Sequence, residues 1–191
     1  MAPSNHTSFK RSAGDQCLCL RSVPTQNVSR RAFLGLSGAL GALSLLPPGA
    51  RAVTGHYRAM LLACIDPRFP KLTLDHMAAR SMLGRYSQFN VAGAAIGAVA
   101  PKFSGWHQTF WDNLAASIQL HNIPTVIVLN HRDCGGAQIA YGDAAVSSRD
   151  AETKTHRNVL LSFRNELTIR QPGLRAELGL MDLDGTVERI A

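Results

Sequence analysis

The chain has 191 residues, of which 46% are hydrophobic and 17% are charged, and this composition excludes a disordered or fibrous protein. A formal net charge of +7 would favour a nucleic-acid partner if it were spread over the chain. However, six of the 20 basic residues but only one of the 13 acidic residues lie in residues 1–52. The remainder is nearly neutral, so we expect no nucleic-acid partner.

Residues 1–52 have the features of a twin-arginine signal peptide. Ser29–Leu34 has the sequence SRRAFL, and the apolar run from Ala32 to Leu46, of about 15 residues, is too short to span a bilayer. Ala50–Ala52 fits a cleavage site, with the cut before Val53. We therefore expect export by the twin-arginine machinery to the periplasm or the medium, and a mature domain of residues 53–191 without a stable membrane anchor. An uncleaved amphipathic or transmembrane anchor is the alternative.

Strand and helix patterns alternate along the mature domain. The predicted elements are a strand over Arg58–Ile65, a helix over Leu72–Leu83, a strand over Tyr86–Ala94, an amphipathic helix from Trp106 to Ile118, a strand over Thr125–Leu129, a helix from Gln138 or earlier, a helix opened by a capping box at Ser147 and Asp150, and two short strands between Leu178 and Ile190. This alternation indicates an α/β domain with a mainly parallel β-sheet flanked by helices.

Three side chains that bind soft metals stand at the ends of two predicted strands. Cys64 ends the first strand, and His131 and Cys134 follow the strand that closes at Leu129. Two thiolates and one imidazole suit Zn²⁺, and three protein ligands leave a fourth position open, as in catalytic zinc sites. A disulfide between Cys64 and Cys134, which an oxidising compartment would favour, is the alternative.

A carboxylate and a guanidinium follow Cys64 at alternating positions of the same predicted turn. Asp66 can accept a hydrogen bond from water beside a metal, and a bidentate Arg68 can hold that carboxylate ionised and in place. A surface ion pair with little effect is the alternative. The proximity to a ligand at a strand end favours a catalytic pair.

These two motifs resemble the signature of the β-class carbonic anhydrases, and the resemblance extends over most of residues 58–190. The matching stretches are Cys64-Ile65-Asp66-Pro67-Arg68 and His131-Arg132-Asp133-Cys134-Gly135. The resemblance implies a β-carbonic anhydrase-like fold, with Zn²⁺ held by Cys64, His131 and Cys134. It also implies an Asp66–Arg68 catalytic dyad, Asp66 as a fourth ligand in a closed state, and a homodimer or higher homo-oligomer.

The reaction implied by the resemblance is the reversible hydration of carbon dioxide to bicarbonate by a zinc-bound hydroxide. Asp66 would accept the hydrogen bond of the hydroxide, and Arg68 would hold Asp66. A histidine suits the removal of the proton near neutral pH. The candidates are His56, His76, His107, His121 and His156.

Three departures from the family pattern keep two other functions open. Pro67 stands where the family often has serine, Phe89 stands in the place of an arginine, and only Val53–His56 precede the first strand, where many members have a helical arm. The alternatives are a carbon disulfide or carbonyl sulfide hydrolase on the same scaffold and a non-catalytic zinc-binding protein.

Overall fold

A computed structural model describes residues 56–191, and the predicted signal peptide lies outside the described residues. The strands are Ala59–Ala63 (β1), Tyr86–Asn90 (β2), Thr125–His131 (β3), Arg175–Met181 (β4) and Val187–Ile190 (β5). The helices are Pro70–Ala79 (α1), Ala95–Val99 (α2), Ser104–His121 (α3), Gly135–Tyr141 (α4) and Arg149–Arg170 (α5). None of the helices in this range is both long and apolar enough to cross a membrane.

The strands form one sheet in the order β2-β1-β3-β4-β5. The pairs β1–β2, β1–β3 and β3–β4 are parallel, and β5 pairs antiparallel with β4. β1 and β3 are buried at every residue, as expected for central strands covered on both faces. The predicted α/β class with a mainly parallel sheet is confirmed.

Alternate residues of the central strands enter two separate apolar clusters, because successive side chains of a strand point to opposite faces. Leu62 and Val128 pack with Phe110 of α3 and Phe163 of α5 on one face. The other face packs residues such as Leu61 and Ile127 against Met77 of α1. The helices thus hold β1 and β3 rigidly, and the ends of these two strands carry the predicted ligands.

The amphipathic helix and the central strands were predicted close to their observed bounds. The helix predicted over Leu72–Leu83 is observed at Pro70–Ala79, and two further details were wrong. The second strand ends at Asn90 rather than Ala94, because Gly93 and Ala94 have positive φ angles of 76° and 51° and the short helix α2 follows. The N-cap of α5 is Ser148 rather than Ser147, and its side chain accepts a hydrogen bond from the backbone N–H of Ala151.

Candidate metal centre

Two neighbouring parallel strands carry the predicted ligands to one edge of the sheet. Cys64 follows the last residue of β1, His131 is the last residue of β3, and Cys134 precedes the first residue of α4. Their ligand atoms, two sulfurs and one ring nitrogen, all lie within 4.8 Å of one another. The structure therefore brings together three side chains that could bind one metal ion, and their role as zinc ligands stays a prediction.

A backbone contact between two glycines shapes the loops around Cys64. A Cβ atom added at Gly136 would lie 2.9 Å from the backbone nitrogen of Gly93 and 3.0 Å from its Cα. Only glycine permits this close approach of the two backbones. The backbone N–H of Gly93 in turn donates to the Sγ of Cys64 over 3.2 Å.

The imidazole of His131 is held at its edge and on its face. Its Nδ1 lies 2.8 Å from the carbonyl oxygen of Arg132, and because a carbonyl can only accept, Nδ1 carries the proton. The ring of Phe69 stacks on the imidazole with centroids 3.9 Å apart. Nε2 is buried and has no hydrogen-bond partner within residues 56–191. The nitrogen with a free lone pair is thus the one available to a metal.

The two cysteines are free thiols rather than a disulfide. Hydrogen bonding from the Cys134 thiol lowers the pKa of Cys64 to about 4, and the same interaction raises the pKa of Cys134. Burial lowers the pKa of His131. The hydrogen bonds of its imidazole with Cys64 and with the Arg132 carbonyl raise this pKa by more, so that the overall shift is upward. The cluster therefore favours a thiolate, which is the protonation state that binds a metal.

Asp66 and Arg68 form a bidentate pair at the end of β1. Oδ1 of Asp66 accepts hydrogen bonds from the backbone N–H of Arg68 at 2.9 Å and from its Nε at 3.0 Å, and Oδ2 accepts from Nη2 at 2.7 Å. These bonds lower the pKa of Asp66 to about 2, so the carboxylate is ionised at neutral pH. The predicted pairing is present, and its catalytic role stays a prediction.

Pro67 has no backbone donor, yet the turn that contains it is well closed. The backbone N–H groups of the next two residues both donate to Asp66, from Arg68 to the carboxylate and from Phe69 to the carbonyl oxygen at 3.1 Å. The departure from serine at this position therefore does not prevent the geometry of the pair.

Arg68 also reaches the second motif, a contact that the sequence analysis missed. Its Nη1 donates to Oδ2 of Asp133 at 2.6 Å, and its Nη2 donates to the carbonyl oxygen of Asp133 at 2.8 Å. Both carboxylates raise the pKa of the guanidinium further, Asp66 more than Asp133. Arg68 thereby joins the turn after β1 to the loop between His131 and Cys134.

Comparison with solved structures gives the fold. The tetrameric β-carbonic anhydrases of Sordaria macrospora superpose with a TM-score of 0.52 at 13% identity, over 72% of this chain and 82% of theirs. The β-carbonic anhydrase CafA of Aspergillus fumigatus gives a TM-score of 0.50 at 14% identity, over 73% of this chain and 77% of that enzyme. The chain has the β-carbonic anhydrase fold.

Relatives in sequence leave the activity open. An uncharacterized protein of Rickettsia conorii is 29% identical over 131 residues, which are 69% of this chain and 70% of that protein. An uncharacterized protein of Rickettsia bellii is 29% identical over 131 residues, which are 69% of this chain and 80% of that protein. No protein-family model matches the chain.

The chemistry of the cluster on this β-carbonic anhydrase fold fits zinc. Its donors are two sulfurs, at least one of them a thiolate, and an imidazole nitrogen whose tautomer is fixed by the Arg132 carbonyl. Such sulfur and nitrogen donors suit tetrahedral Zn²⁺, and a second hydrogen bond on the ligating histidine is the usual outer contact of zinc sites. No other group of at least three His, Cys, Asp or Glu residues in the described range is spaced to hold a metal.

The surface carries a polar hollow at the cluster and a separate apolar hollow. The polar hollow has a volume of about 620 Å³, and the residues that line it include Asp66, Arg68, Asp133 and Cys134. The apolar hollow has a volume of about 310 Å³, and it is lined by Ile65, which follows Cys64 in the chain, and by Phe89, Asn90, Val91, Ala92, Trp106 and Thr109. Phe89, in the place of a family arginine, therefore adds an apolar wall.

The five histidines considered as proton carriers are spread over the domain. Tyr57, at the amino end of β1, donates its backbone N–H to the carbonyl of His121, and His56 contacts Asn122 nearby, so both histidines lie at the edge opposite the cluster. Burial lowers the pKa of His156 to about 4, so this residue does not exchange protons near neutral pH.

Proposed function

We propose that this chain is a zinc enzyme that reversibly hydrates carbon dioxide to bicarbonate. The observation that carries the proposal is the convergence of Cys64, His131 and Cys134 within 4.8 Å, on a β-carbonic anhydrase fold and beside an anchored Asp66. Cys64, His131 and Cys134 would hold the ion. When bound, zinc supplies the Lewis acidity that makes hydroxide available from water near neutral pH.

Asp66 orients the attacking oxygen by accepting its proton in a hydrogen bond. An ionised carboxylate has about four acceptor positions, and Arg68 fills three of them, two on Oδ1 and one on Oδ2. One acceptor position on Oδ2 is thus left for the nucleophile. The pKa of about 2 keeps Asp66 ionised, so it accepts this proton in a hydrogen bond without removing it.

The two hollows suit the two sides of the reaction. Carbon dioxide is small and apolar, and the hollow lined by Ile65, Phe89, Val91 and Trp106 offers it an apolar surface. Bicarbonate is charged and hydrated, and it leaves more readily through the polar hollow at Arg68 and Asp133. This division of the surface favours separate routes for carbon dioxide and bicarbonate.

The assembly and location that we propose follow the sequence expectations. The enzymes from Sordaria macrospora are tetrameric, and the apolar hollow of this chain is lined by Ile65 and Trp106, which are 62% and 42% exposed, so we infer a homo-oligomer here. The twin-arginine sequence of residues 29–34 supports export to the periplasm or the medium. Light scattering and cell fractionation test these two points.

Zinc analysis and a stopped-flow hydration assay on the purified protein test the proposed function. We expect about one zinc per chain, carbon dioxide hydration by the zinc form, and loss of both in Cys134→Ser. Zinc without hydration would overturn the proposal, and parallel assays with carbonyl sulfide and carbon disulfide would then identify a sulfur-analogue hydrolase. Full zinc in Cys134→Ser would contradict the ligand assignment.

A further inference from the structure

Arg132 and Asp133, which separate His131 from Cys134, are bound by one carboxylate from another part of the fold. Glu152, in the first turns of α5, is only 8% exposed. Its Oε1 accepts a hydrogen bond from the backbone N–H of Asp133 at 2.5 Å, and its Oε2 accepts one from Nη1 of Arg132 at 3.2 Å. A single side chain thus contacts both residues of the loop that joins the two predicted ligands.

The backbone of this loop has an uncommon conformation, which such a contact stabilises. Asp133 has a φ angle of +55°, in the left-handed region that residues with a Cβ rarely adopt. The conformation turns the chain between the end of β3 and the start of α4, so that His131 and Cys134 face the same point. A charge-assisted hydrogen bond to the N–H of Asp133 stabilises this turn more than a neutral acceptor would.

The second oxygen of Glu152 acts on His131 through Arg132. The carbonyl oxygen of Arg132 accepts a hydrogen bond from the Nδ1–H of His131 at 2.8 Å. The position of this oxygen therefore sets the tautomer and direction of the imidazole. The backbone N–H of Arg132 donates to the carbonyl of Met181 at 2.9 Å, which holds the residue from the β4 side. The contact with Glu152 holds the side chain of the same residue, which is 5% exposed.

We propose that Glu152 is a positioning residue of the metal centre, which holds the His131–Cys134 loop in the conformation that directs both ligands at one ion. This inference rests on the proposed zinc site. It assigns no contact between Glu152 and the metal or the substrate. Its consequence is that the strength and geometry of metal binding depend on a carboxylate of α5.

Glu152→Gln tests the role with little change of shape. A glutamine has one acceptor oxygen and one amide group that only donates, so it can satisfy the N–H of Asp133 or the guanidinium of Arg132 but not both. Glu188→Gln is the matched control. Glu188 also contacts Arg132, at 3.3 Å, but its side chain is 52% exposed, and Glu188 has no hydrogen bond with Asp133.

Two measurements on the full-length protein report on the metal site rather than on the fold. The first is the rate at which zinc passes to an excess of a chromophoric chelator under native conditions. The second is the visible spectrum of the Co²⁺-substituted protein, whose bands depend on the number and arrangement of thiolate and imidazole ligands. We expect Glu152→Gln to lose zinc about 10- to 100-fold faster and to shift the cobalt bands, whereas Glu188→Gln stays within about threefold of the wild type.

A second variant keeps the test decisive if Glu152→Gln does not fold. Arg132→Met combined with Glu152→Met removes both charges, so no unpaired buried charge is left to destabilise the domain. We expect this double variant to fold and to show the same faster zinc release and altered cobalt spectrum. Wild-type release and spectrum in the double variant would overturn the inference.

The outcomes separate this inference from the proposed function. A wild-type protein that binds neither zinc nor cobalt contradicts the proposed function itself. A wild type that binds both metals, with Glu152→Gln indistinguishable from it, overturns the positioning role and leaves the function standing. Equal effects of Glu152→Gln and Glu188→Gln would also overturn it, because they would assign the effect to the charge of Arg132 alone.

Discussion

Phe69 stacks on His131 with ring centroids 3.9 Å apart and ring planes inclined by 27°. Phe69 immediately precedes α1 and is 3% exposed, so the stack is part of the core beneath the ligand cluster. The imidazole is therefore fixed by a ring on its face and by the Arg132 carbonyl at its edge. Neither contact is visible in the spacing of the two motifs.

We predict that Phe69→Leu weakens zinc binding by up to about tenfold. Leucine preserves the apolar contact but loses the stacking energy of about 0.5–1.5 kcal/mol, and the imidazole is then less firmly oriented. Phe163→Leu is the control, because Phe163 is fully buried and stacks on Trp111 rather than on a ligand. Chelator competition and urea unfolding should show that both variants lose stability and that Phe69→Leu alone loses zinc affinity. Equal zinc affinities would show that the stack does not orient His131.

Asp66→Asn should keep its zinc and lose carbon dioxide hydration by about two orders of magnitude or more. The neutral amide presents a donor where the nucleophile needs an acceptor, and positioned catalytic groups contribute effects of this size. Stopped-flow hydration and zinc analysis on the same preparations are the measurements.

Asp133→Asn is the matched control for that prediction, because Asp133 also pairs with Arg68. Its side chain is 71% exposed, and exposed ion pairs contribute about 1 kcal/mol or less. We expect less than about fivefold loss of hydration, since Asp66 still holds Arg68 through three hydrogen bonds. A loss as large as that of Asp66→Asn would instead show that Arg68 depends chiefly on Asp133.

Gly136→Ala should destabilise the domain by about 1–3 kcal/mol and weaken zinc binding. The added methyl would overlap the backbone of Gly93, which a rotamer change cannot relieve, and would push the Gly93 N–H away from Cys64. Gly135→Ala is a matched control in the same helix, since nothing lies within 4 Å of its added Cβ. Urea unfolding and chelator competition should show the loss for Gly136→Ala only, and a similar loss in both variants would assign it to the helix rather than to the glycine contact.

The sequence predicted the parallel sheet and the convergence of Cys64, His131 and Cys134 for related physical reasons. Long apolar runs identify β1 and β3 as central strands, and chemical groups at the carboxyl ends of adjacent parallel strands must meet. The amphipathic pattern of α3 was equally clear, and the helix ends at His121, before Asn122, which has a φ angle of +48°. These features depend on short-range periodicity, which a single sequence carries.

The missed features depend on contacts between residues far apart in the chain. Glu152 meets Asp133 from a helix 19 positions away, and Arg68 meets Asp133 across 65 positions. The positive φ angle of Asp133 has no marker in the sequence, since aspartate is not a residue that requires it. Helix α2 was missed because its five small or apolar residues have no polar face.

The unfolding free energy should fall by about 2 kcal/mol between pH 7.5 and pH 5 because of His156. Burial, with a smaller contribution from nearby positive charges, lowers the pKa of His156 to about 4, whereas an unfolded histidine titrates near 6.5. Between these values the unfolded chain binds a proton that the folded chain does not, so the stabilisation is complete above pH 6.5 and is lost as the pH falls toward 4.

His156→Gln provides the comparison for this pH dependence. Glutamine can still accept the hydrogen bond that Nδ1 of His156 receives from Asn130, but it does not titrate. Urea unfolding of both proteins at the two pH values, with the metal removed by a chelator, should show a decrease that is smaller by about 2 kcal/mol in the variant. Identical decreases would show that His156 titrates normally in the folded protein.

The state of Cys64 and Cys134 links the proposed export route to the metal site. Both cysteines are free and adjacent, and the low pKa of Cys64 keeps it as a thiolate that oxidants attack readily. Twin-arginine export carries folded proteins, so zinc can bind in the reducing cytoplasm and protect both sulfurs before export. Replacement of Arg30 and Arg31 by lysine should therefore block export and leave zinc-loaded protein in the cytoplasm.

The same mature chain, residues 53–191, routed through a pathway that exports unfolded proteins should contain less zinc. Its cysteines would meet an oxidising compartment before the ligand cluster forms, and a disulfide between Cys64 and Cys134 would then compete with metal binding. Zinc analysis and titration of free thiols on the two exported forms provide the comparison. Equal zinc and equal free thiols by both routes would rule out this link, and the zinc site itself would be unaffected by that result.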